Sequence, residues 1–416
     1  MRIPFEIQEL SEKGFSDHTF HVRDYMTAGQ EYRCIQNAVD ACSQRGGGTV
    51  IVDDGEWPSG PVHLCDNIHL KLEEGATVRF LEKPEAYLPV VFTRWEGVEC
   101  YNYSPLIYAK NRKNIAVTGK GKLIGGGRAW WQWKKLQQNA ANELCYAESG
   151  HIPVESRIYG TPEAALRPSF IQFIACEDIR LEGFTIEDGP QWTIHPVYCD
   201  RVLVRNVTIR TTGPNTDGLN PDSCKNVWIE GYSFSTGDDC IAVNAGMNED
   251  GWRVGKPCEN IVILNCEMKG GHGALTIGSG MSGGVHNVYA AGCKVYGTNQ
   301  GIRLKSMRGR GGYIKNVWFE DIELHDILEE AIQVSMFYPY STVIPKSKVS
   351  PVFSDIHFKK ISGNSTKLAI EMRGLPESRL ENITLEDVRL RSGQLFVCDQ
   401  VGGLFMKEVE LAGSNE

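Results

Sequence analysis

Ile179-Arg180-Leu181-Glu182-Gly183-Phe184-Thr185-Ile186 sets a pattern that the chain then repeats. With Ile179 as position zero, apolar residues fall at +2, +5 and +7. Val202, Val204, Val207 and Ile209 obey the same rule, as do Val227, Ile229, Tyr232 and Phe234. The series runs on through copies that begin at Ile261, Val288, Val317, a weaker one at Ile356, and Ile383. Each copy reads as two short strands of period two, with a bend between +2 and +5. The origins are spaced 23, 25, 34, 27, 29, 39 and 27 residues apart. One such unit cannot bury its own apolar face, but a stack can, and repeats of this length mark a solenoid. Ile68/Leu70 and Ile115/Val117 look like earlier coils of the same stack.

Asn or Asp stands before most origins: Asp178, Asn226, Asn260, Asn287, Asn316, Asp355 and Asn382. Such side chains bond the local backbone and suit the turns between coils. Cysteine stands three before the origin at Cys176, Cys199, Cys224 and Cys258. A metal or redox ladder is one reading. A column of small buried thiols is the simpler one, because free cysteine packs as a small hydrophobe. Ahead of the repeats, Ile35, Ala38, Val39 and Cys42 form one helical stripe, and Gly46-Gly47-Gly48 ends it. A solenoid needs its open end covered, so this helix is expected to cap the stack over about 20–48.

The chain has 416 residues and no linker-like stretch, so a single domain over 1–416 is expected. Its net charge of −9 argues against general nucleic-acid binding. The first residues, MRIPFEIQEL, show no basic start followed by an apolar run, and no stretch is long enough to cross a membrane. Thirteen cysteines, an odd number with no CxxC pair, suit reduced thiols better than a disulfide framework. These features together point to a cytoplasmic protein, with secretion or a periplasmic location as the alternative if a leader has been removed.

Residues at equal offset lie on one face of a solenoid, with coils about 4.8 Å apart. Asp217 lies at +15 from 202, Asp238 and Asp239 at +11 and +12 from 227, His272 at +11 from 261, and Arg303 and Lys305 at +15 and +17 from 288. Four successive coils thus place three carboxylates, an imidazole and two cations in one narrow window. Folding does not require this. Hydrolysis of a glycoside needs an acid for the leaving oxygen and a base or nucleophile at the anomeric carbon. Three carboxylates packed together cannot all ionise freely, so at least one should hold a proton. An adjacent Arg and Lys suit a substrate carboxylate, which points to an acidic sugar polymer.

Asn215-Thr216-Asp217-Gly218, Gly237-Asp238-Asp239, Gly271-His272-Gly273 and Arg303-Leu304-Lys305 stand in this order, each on its own repeat. They resemble the four signature motifs of the polygalacturonase family, glycoside hydrolase family 28. The resemblance covers roughly residues 20–400. It implies an all-β fold, a right-handed single-stranded parallel β-helix of the pectin-lyase type. It also implies cleavage of α-1,4-linked galacturonic acid with inversion and without metal or other cofactor. By the same resemblance Asp238 is the general acid, and Asp217 and Asp239 activate the attacking water. His272 supports the acid, and Arg303 and Lys305 hold galacturonate. Carboxylates on adjacent coils are closer than the roughly 6.5–9.5 Å usual for inverting enzymes. The family's usual Gly-Asp-Gly turn is replaced by Met26-Thr27-Ala28-Gly29-Gln30.

Phe92 to Gly97, Tyr101 to Leu106, Trp192 to Pro196 and Arg310 to Tyr313 resemble bacterial exo-acting members more than fungal endo enzymes. The segment of about 125–167 carries few repeat signals and holds Trp130, Trp131 and Trp133. It is expected to block one end of the cleft; a packing insertion with core tryptophans is the alternative. Asn215, His195, Trp192 and Arg167 are candidate sugar contacts, and a packed histidine is the other reading of His195. Rhamnogalacturonan or xylogalacturonan could replace plain galacturonan as substrate. A calcium-dependent lyase and a non-catalytic carbohydrate-binding β-helix are rivals on the same fold. The exposed flanks of such a fold are compatible with side-by-side association.

Overall fold

Stacking of the repeat origins builds the molecule. In the computed structural model, which describes residues 2–10, 14–338 and 349–414, Ile179 pairs with Val202 and Val202 with Val227. The same parallel column continues through Ile261, Val288, Val317, Ile356, Ile383 and Leu404. Ile115 and Val117 join it from the front, with Val117 on Leu70. The result is a right-handed parallel β-helix. The sequence series ends at Ile383, whereas the structure adds a coil in which Leu404, Met406, Val409 and Leu411 keep the same offsets.

The turn chemistry accounts for the coil shape. The residues before the origins all have positive φ: Asp178, Asn226, Asn260, Asn287, Asn316, Asp355 and Asn382 lie between 54° and 58°. Asn and Asp tolerate this left-handed backbone because their side chains bond locally. They also bond to one another up the stack, Asn260 Nδ2 to Asn226 Oδ1 at 3.1 Å and Asn287 Nδ2 to Asn260 Oδ1 at 2.9 Å. The bend at +4 uses the same device, with positive φ at Gly183, Asn206, Gly231, Asn265, Gly292, Asp321 and Asp387. Cys176, Cys199, Cys224 and Cys258 are buried free thiols. Burial raises the thiols of Cys199 and Cys258 far above the ordinary range, which suits packing and not metal binding.

The two-strand reading of the repeat is incomplete, because each coil carries a third strand. It comprises Ile194–Val197, Ile241–Val243, Gly273–Gly278 and Gln300–Lys305, with isolated bridges at Leu219 joining the first two. All residues of these strands are buried, so no polar alternation betrays them. One face packs on the core and the other forms a cleft floor.

The helix Cys34–Gln44 covers the first coils with Ile35, Ala38, Val39 and Cys42 buried, behind a short strand Thr19–His21. An antiparallel hairpin, Val91–Trp95 and Val98–Asn102, lies across the early third strands, with Val91 and Phe92 against Tyr108, Ile174 and Val197. The 125–167 segment folds behind this hairpin as short helices, among them Gln138–Cys145. Trp130 and Trp133 pack with Tyr103 in the core, and Trp131 donates to the Gly189 carbonyl. The tryptophans therefore serve packing. Among the described residues, no helix is long and apolar enough to cross a membrane.

Candidate active site

Register explains why the charged residues meet. Leu219, Ile241, Leu275 and Ile302 stack in one column. Asp217 and Asp239 each stand two residues before their column member, as do Gly273 and Gln300. Asp217 has the larger numerical offset because the loop from Thr211 to Thr216 absorbs three residues. Asp238 and His272 share the adjoining column, and His272 Nδ1 lies 2.9 Å from Asp238 Oδ1. Lys305 Nζ reaches Asp239 Oδ2 at 2.8 Å, and the Gly273 N–H donates to Asp239 Oδ1 at 2.7 Å. Asn220 Nδ2 donates to Asp217 Oδ2 at 2.8 Å. One oxygen from each of Asp217, Asp238 and Asp239 lies within 4.8 Å of the others. Such a trio could ligate a cation; here the Lys305 ammonium already brings positive charge to it.

The carboxyls differ in their electrostatics. Burial, then repulsion from Asp238 and Asp239, pushes Asp217 well above the ordinary carboxylate range. Burial also raises Asp238, but the hydrogen bond and charge of His272, with Lys305 and the Asp239 N–H, outweigh it and hold Asp238 low. Of the two, Asp217 is thus the carboxyl whose surroundings favour the protonated form, and Asp238 the one whose surroundings favour the ionised form. The hydrogen bond to Asp238 raises His272 against a smaller effect of burial. Its ion pair with Asp238 is then complete below the ordinary histidine value of about 6.5 and is lost as pH rises through the raised value. NMR titration of His272 is expected to give a midpoint above about 6.5; a midpoint at or below that value contradicts this pairing.

The cleft divides at Asp238 into two cavities. The first, about 260 Å³, is lined by Asp217 and Asp239 together with Glu96, Gly97, Trp192, Met247, Ser279 and Arg310. The second, about 620 Å³, is lined by His272, Arg303, Gln300, Glu329 and Lys134. Asp238, Asn215, Lys305 and Tyr338 line both. The hairpin tip, Glu96-Gly97, forms an end wall of the first cavity, and the Met247 N–H bonds the Gly97 carbonyl at 3.1 Å. The 125–167 segment does not itself line that wall but backs it.

His195 needs correction. It is fully buried, with Nδ1 at 2.8 Å from Gln172 Nε2, Nε2 at 3.4 Å from Asp222 and its ring edge-on to Trp192. Thr93 of the hairpin bonds Gln172, so the hairpin seals this histidine beneath the cleft. It cannot touch a sugar there. Trp192 does line the cleft, and Asn215 donates to Asp238 Oδ2 at 3.4 Å. Arg167, also buried, holds Asn215 from behind: Nη2 donates to Asn215 Oδ1 at 2.8 Å and Nε to Gln137 Oε1 at 3.1 Å. Arg167 thus positions Asn215 and couples it to the insertion. Glu96 and Asn220 escaped the sequence reading as site residues. Glu96 lies inside the quoted Phe92–Gly97 stretch, but only the hairpin pairing brings it to the cleft.

A parallel β-helix with three clustered carboxylates on the floor of a cleft carries the equipment of a glycoside-cleaving enzyme. The sequence model of "Glycosyl hydrolases family 28" matches residues 156–405, which include all four motifs. The chain belongs to that family. It is 34% identical to an exopolygalacturonase from Thermotoga maritima of known structure, over 96% of this chain and 94% of that one, with a TM-score of 0.88. A family 28 exopolygalacturonase from Yersinia enterocolitica shares the fold at 21% identity, over 95% of this chain and 78% of that one, with a TM-score of 0.74. An endo-polygalacturonase of Pectobacterium carotovorum is 27% identical over 387 residues, covering 86% of this chain and 83% of its own length.

Proposed function

We propose that this chain hydrolyses α-1,4-galacturonosyl linkages, releasing galacturonate from the non-reducing end of oligogalacturonides. The division of the cleft carries this reading. Asp217 and Asp239 line the walled cavity, so the sugar that supplies the anomeric carbon sits there. His272 and Arg303 line the other cavity, where the leaving sugar and the rest of the chain extend. With Glu96-Gly97 behind it, the first cavity holds a chain end. Its volume lies below the roughly 300–1,000 Å³ of drug-sized pockets and suits a single sugar. The likeness to exo-acting relatives supports the same end-wise action.

In this mechanism the anionic substrate resets the protons. A uronate carboxylate drawn to Arg303 and Lys305 adds negative charge beside Asp238 and raises its carboxyl. The proton held on Asp217, or the one on His272 Nδ1 at 2.9 Å, moves to Asp238, which passes it to the leaving oxygen. Asp217, once ionised, and Asp239 take the proton of the attacking water. Separation alone would place these carboxylates nearer the retaining class, at about 5–5.5 Å. Two of the three share the water, however, which leaves neither as a lone nucleophile, and inversion follows. We place the enzyme in the cytoplasm, acting on imported fragments, because its odd set of thirteen thiols suits a reducing compartment.

Proton NMR of trigalacturonate digested in parallel with chelator and with calcium tests this chemistry. The first new anomer is expected to be β, with no alkene signal. An α anomer would overturn inversion, and an alkene that needs calcium would establish a lyase.

A further inference from the structure

The walled cavity contains a cation that has no carboxylate within ion-pair distance among the described residues. Arg310 is 6% exposed and, among the described residues, makes no ion pair. Its Nη1 donates to Asn248 Oδ1 at 2.7 Å, and its Nη2 lies 3.4 Å from Ser279 Oγ and 3.7 Å from Met307 Sδ. Its Nε is buried with no acceptor. Of the other buried arginines, Arg94 has Asp222 at 2.9 Å and Arg157 has Asp250 at 2.7 Å, while Arg167 places its donors on Gln137, Asn215 and the Pro190 and Pro214 carbonyls. A guanidinium stripped of water without a carboxylate costs stability, and a packed apolar side chain would serve folding better. Burial accordingly pulls its pKa below the ordinary arginine value. Lys305, the other cation lining this cavity, is already engaged by Asp239 at 2.8 Å.

Placement is fixed as well as charge. Asn248, which holds Arg310, follows Met247, whose N–H ties down the hairpin tip. The guanidinium and the end wall are therefore linked through two consecutive residues. Glu96 on that wall accepts from Gln191 Nε2 at 3.1 Å and suits sugar hydroxyls.

We propose that Arg310 binds the carboxylate of the terminal sugar in the walled cavity, so that the enzyme demands an acid at the chain end as well as on the leaving side. This inference rests on the reading that the walled cavity holds the sugar to be released. A guanidinium–carboxylate pair shielded from water is among the stronger polar contacts available to a protein.

The test compares trigalacturonate with a trisaccharide whose non-reducing residue is galactose, the carboxyl replaced by a hydroxymethyl group. Wild type is expected to lose about tenfold to a hundredfold in kcat/KM on the neutral-ended substrate. Arg310→Gln should lose a similar factor on trigalacturonate and scarcely tell the two apart, and Arg310→Lys should recover part of the preference. Calorimetric binding of both trisaccharides to wild type at low temperature, before turnover, reads the same preference without chemistry. Equal treatment of the two substrates by wild type overturns the proposal, whatever the fate of the variants. So does a preference that persists in folded Arg310→Gln. Binding that discriminates in an enzyme that cleaves neither would leave Arg310 in place and remove the hydrolase reading instead.

Discussion

Asp238→Asn is expected to lower kcat by about 10²–10⁴-fold, the usual contribution of a positioned acid. The amide keeps the shape of the carboxyl and its place between the two cavities, but it cannot pass a proton to the leaving oxygen. KM should change little, because Arg303 and Lys305, two coils further along the stack, are untouched. A second readout separates this from general damage. His272 is raised chiefly by its hydrogen bond to Asp238. Its titration should therefore fall back toward about 6.5 in the variant. Turnover at the wild-type rate would remove Asp238 from the chemistry. A lost rate with an unmoved His272 would mean that the 2.9 Å pair does not form.

Asp250→Ala is expected to cost about 3–5 kcal/mol, the usual result of removing one partner of a buried ion pair. Asp250 Oδ1 accepts from Arg157 Nη1 at 2.7 Å and Arg253 Nη2 at 2.9 Å, and Oδ2 accepts the Glu99 N–H at 3.0 Å. Arg157 is wholly buried and also bonds Glu148. One carboxylate thus joins the hairpin, the helix Asn248–Val254 and the insertion. In a stacked fold the loss stays local, so the coils should keep their far-ultraviolet signature. Limited proteolysis should instead cut faster within 125–167, and larger products should accompany the monomer as the end wall loosens. Cutting rates and products like those of wild type would show that the wall stands without this network.

Much of this was legible in one chain because the stack copies its rules. Asn and Asp before most origins announced the turns between coils, whereas the positive φ at +4, as in Asn206, Asn265 and Asp321, came from the structure. Offsets predicted the meeting of Asp238 with His272, since both stand at +11 and stacked coils align equal offsets. Three things did not show. The third strand, such as Gly273–Gly278, is buried at every residue and so has no period-two signature. The end wall comes from an antiparallel hairpin outside the repeat, so no offset could place Glu96 in the cavity that Asp238 lines. His195 stands on a cleft strand one coil before Asp217, and only the hairpin lying over it shows that it is buried.

Proton placement was half legible. Packing three carboxylates predicts that one stays protonated. Which one depends on the partners: Asp217 has the neutral Asn220 as its donor, while Asp238 faces His272 and Asp239 faces Lys305. That difference is invisible in the sequence.

Hexagalacturonate tagged at its reducing end tests the central claim most directly, with products separated from the earliest times of digestion. Untagged galacturonate monomer beside tagged pentamer should appear first, followed by tagged tetramer in succession. Tagged monomer at the first time point, or a mixture of tagged lengths without order, would contradict a walled cavity that holds the non-reducing end.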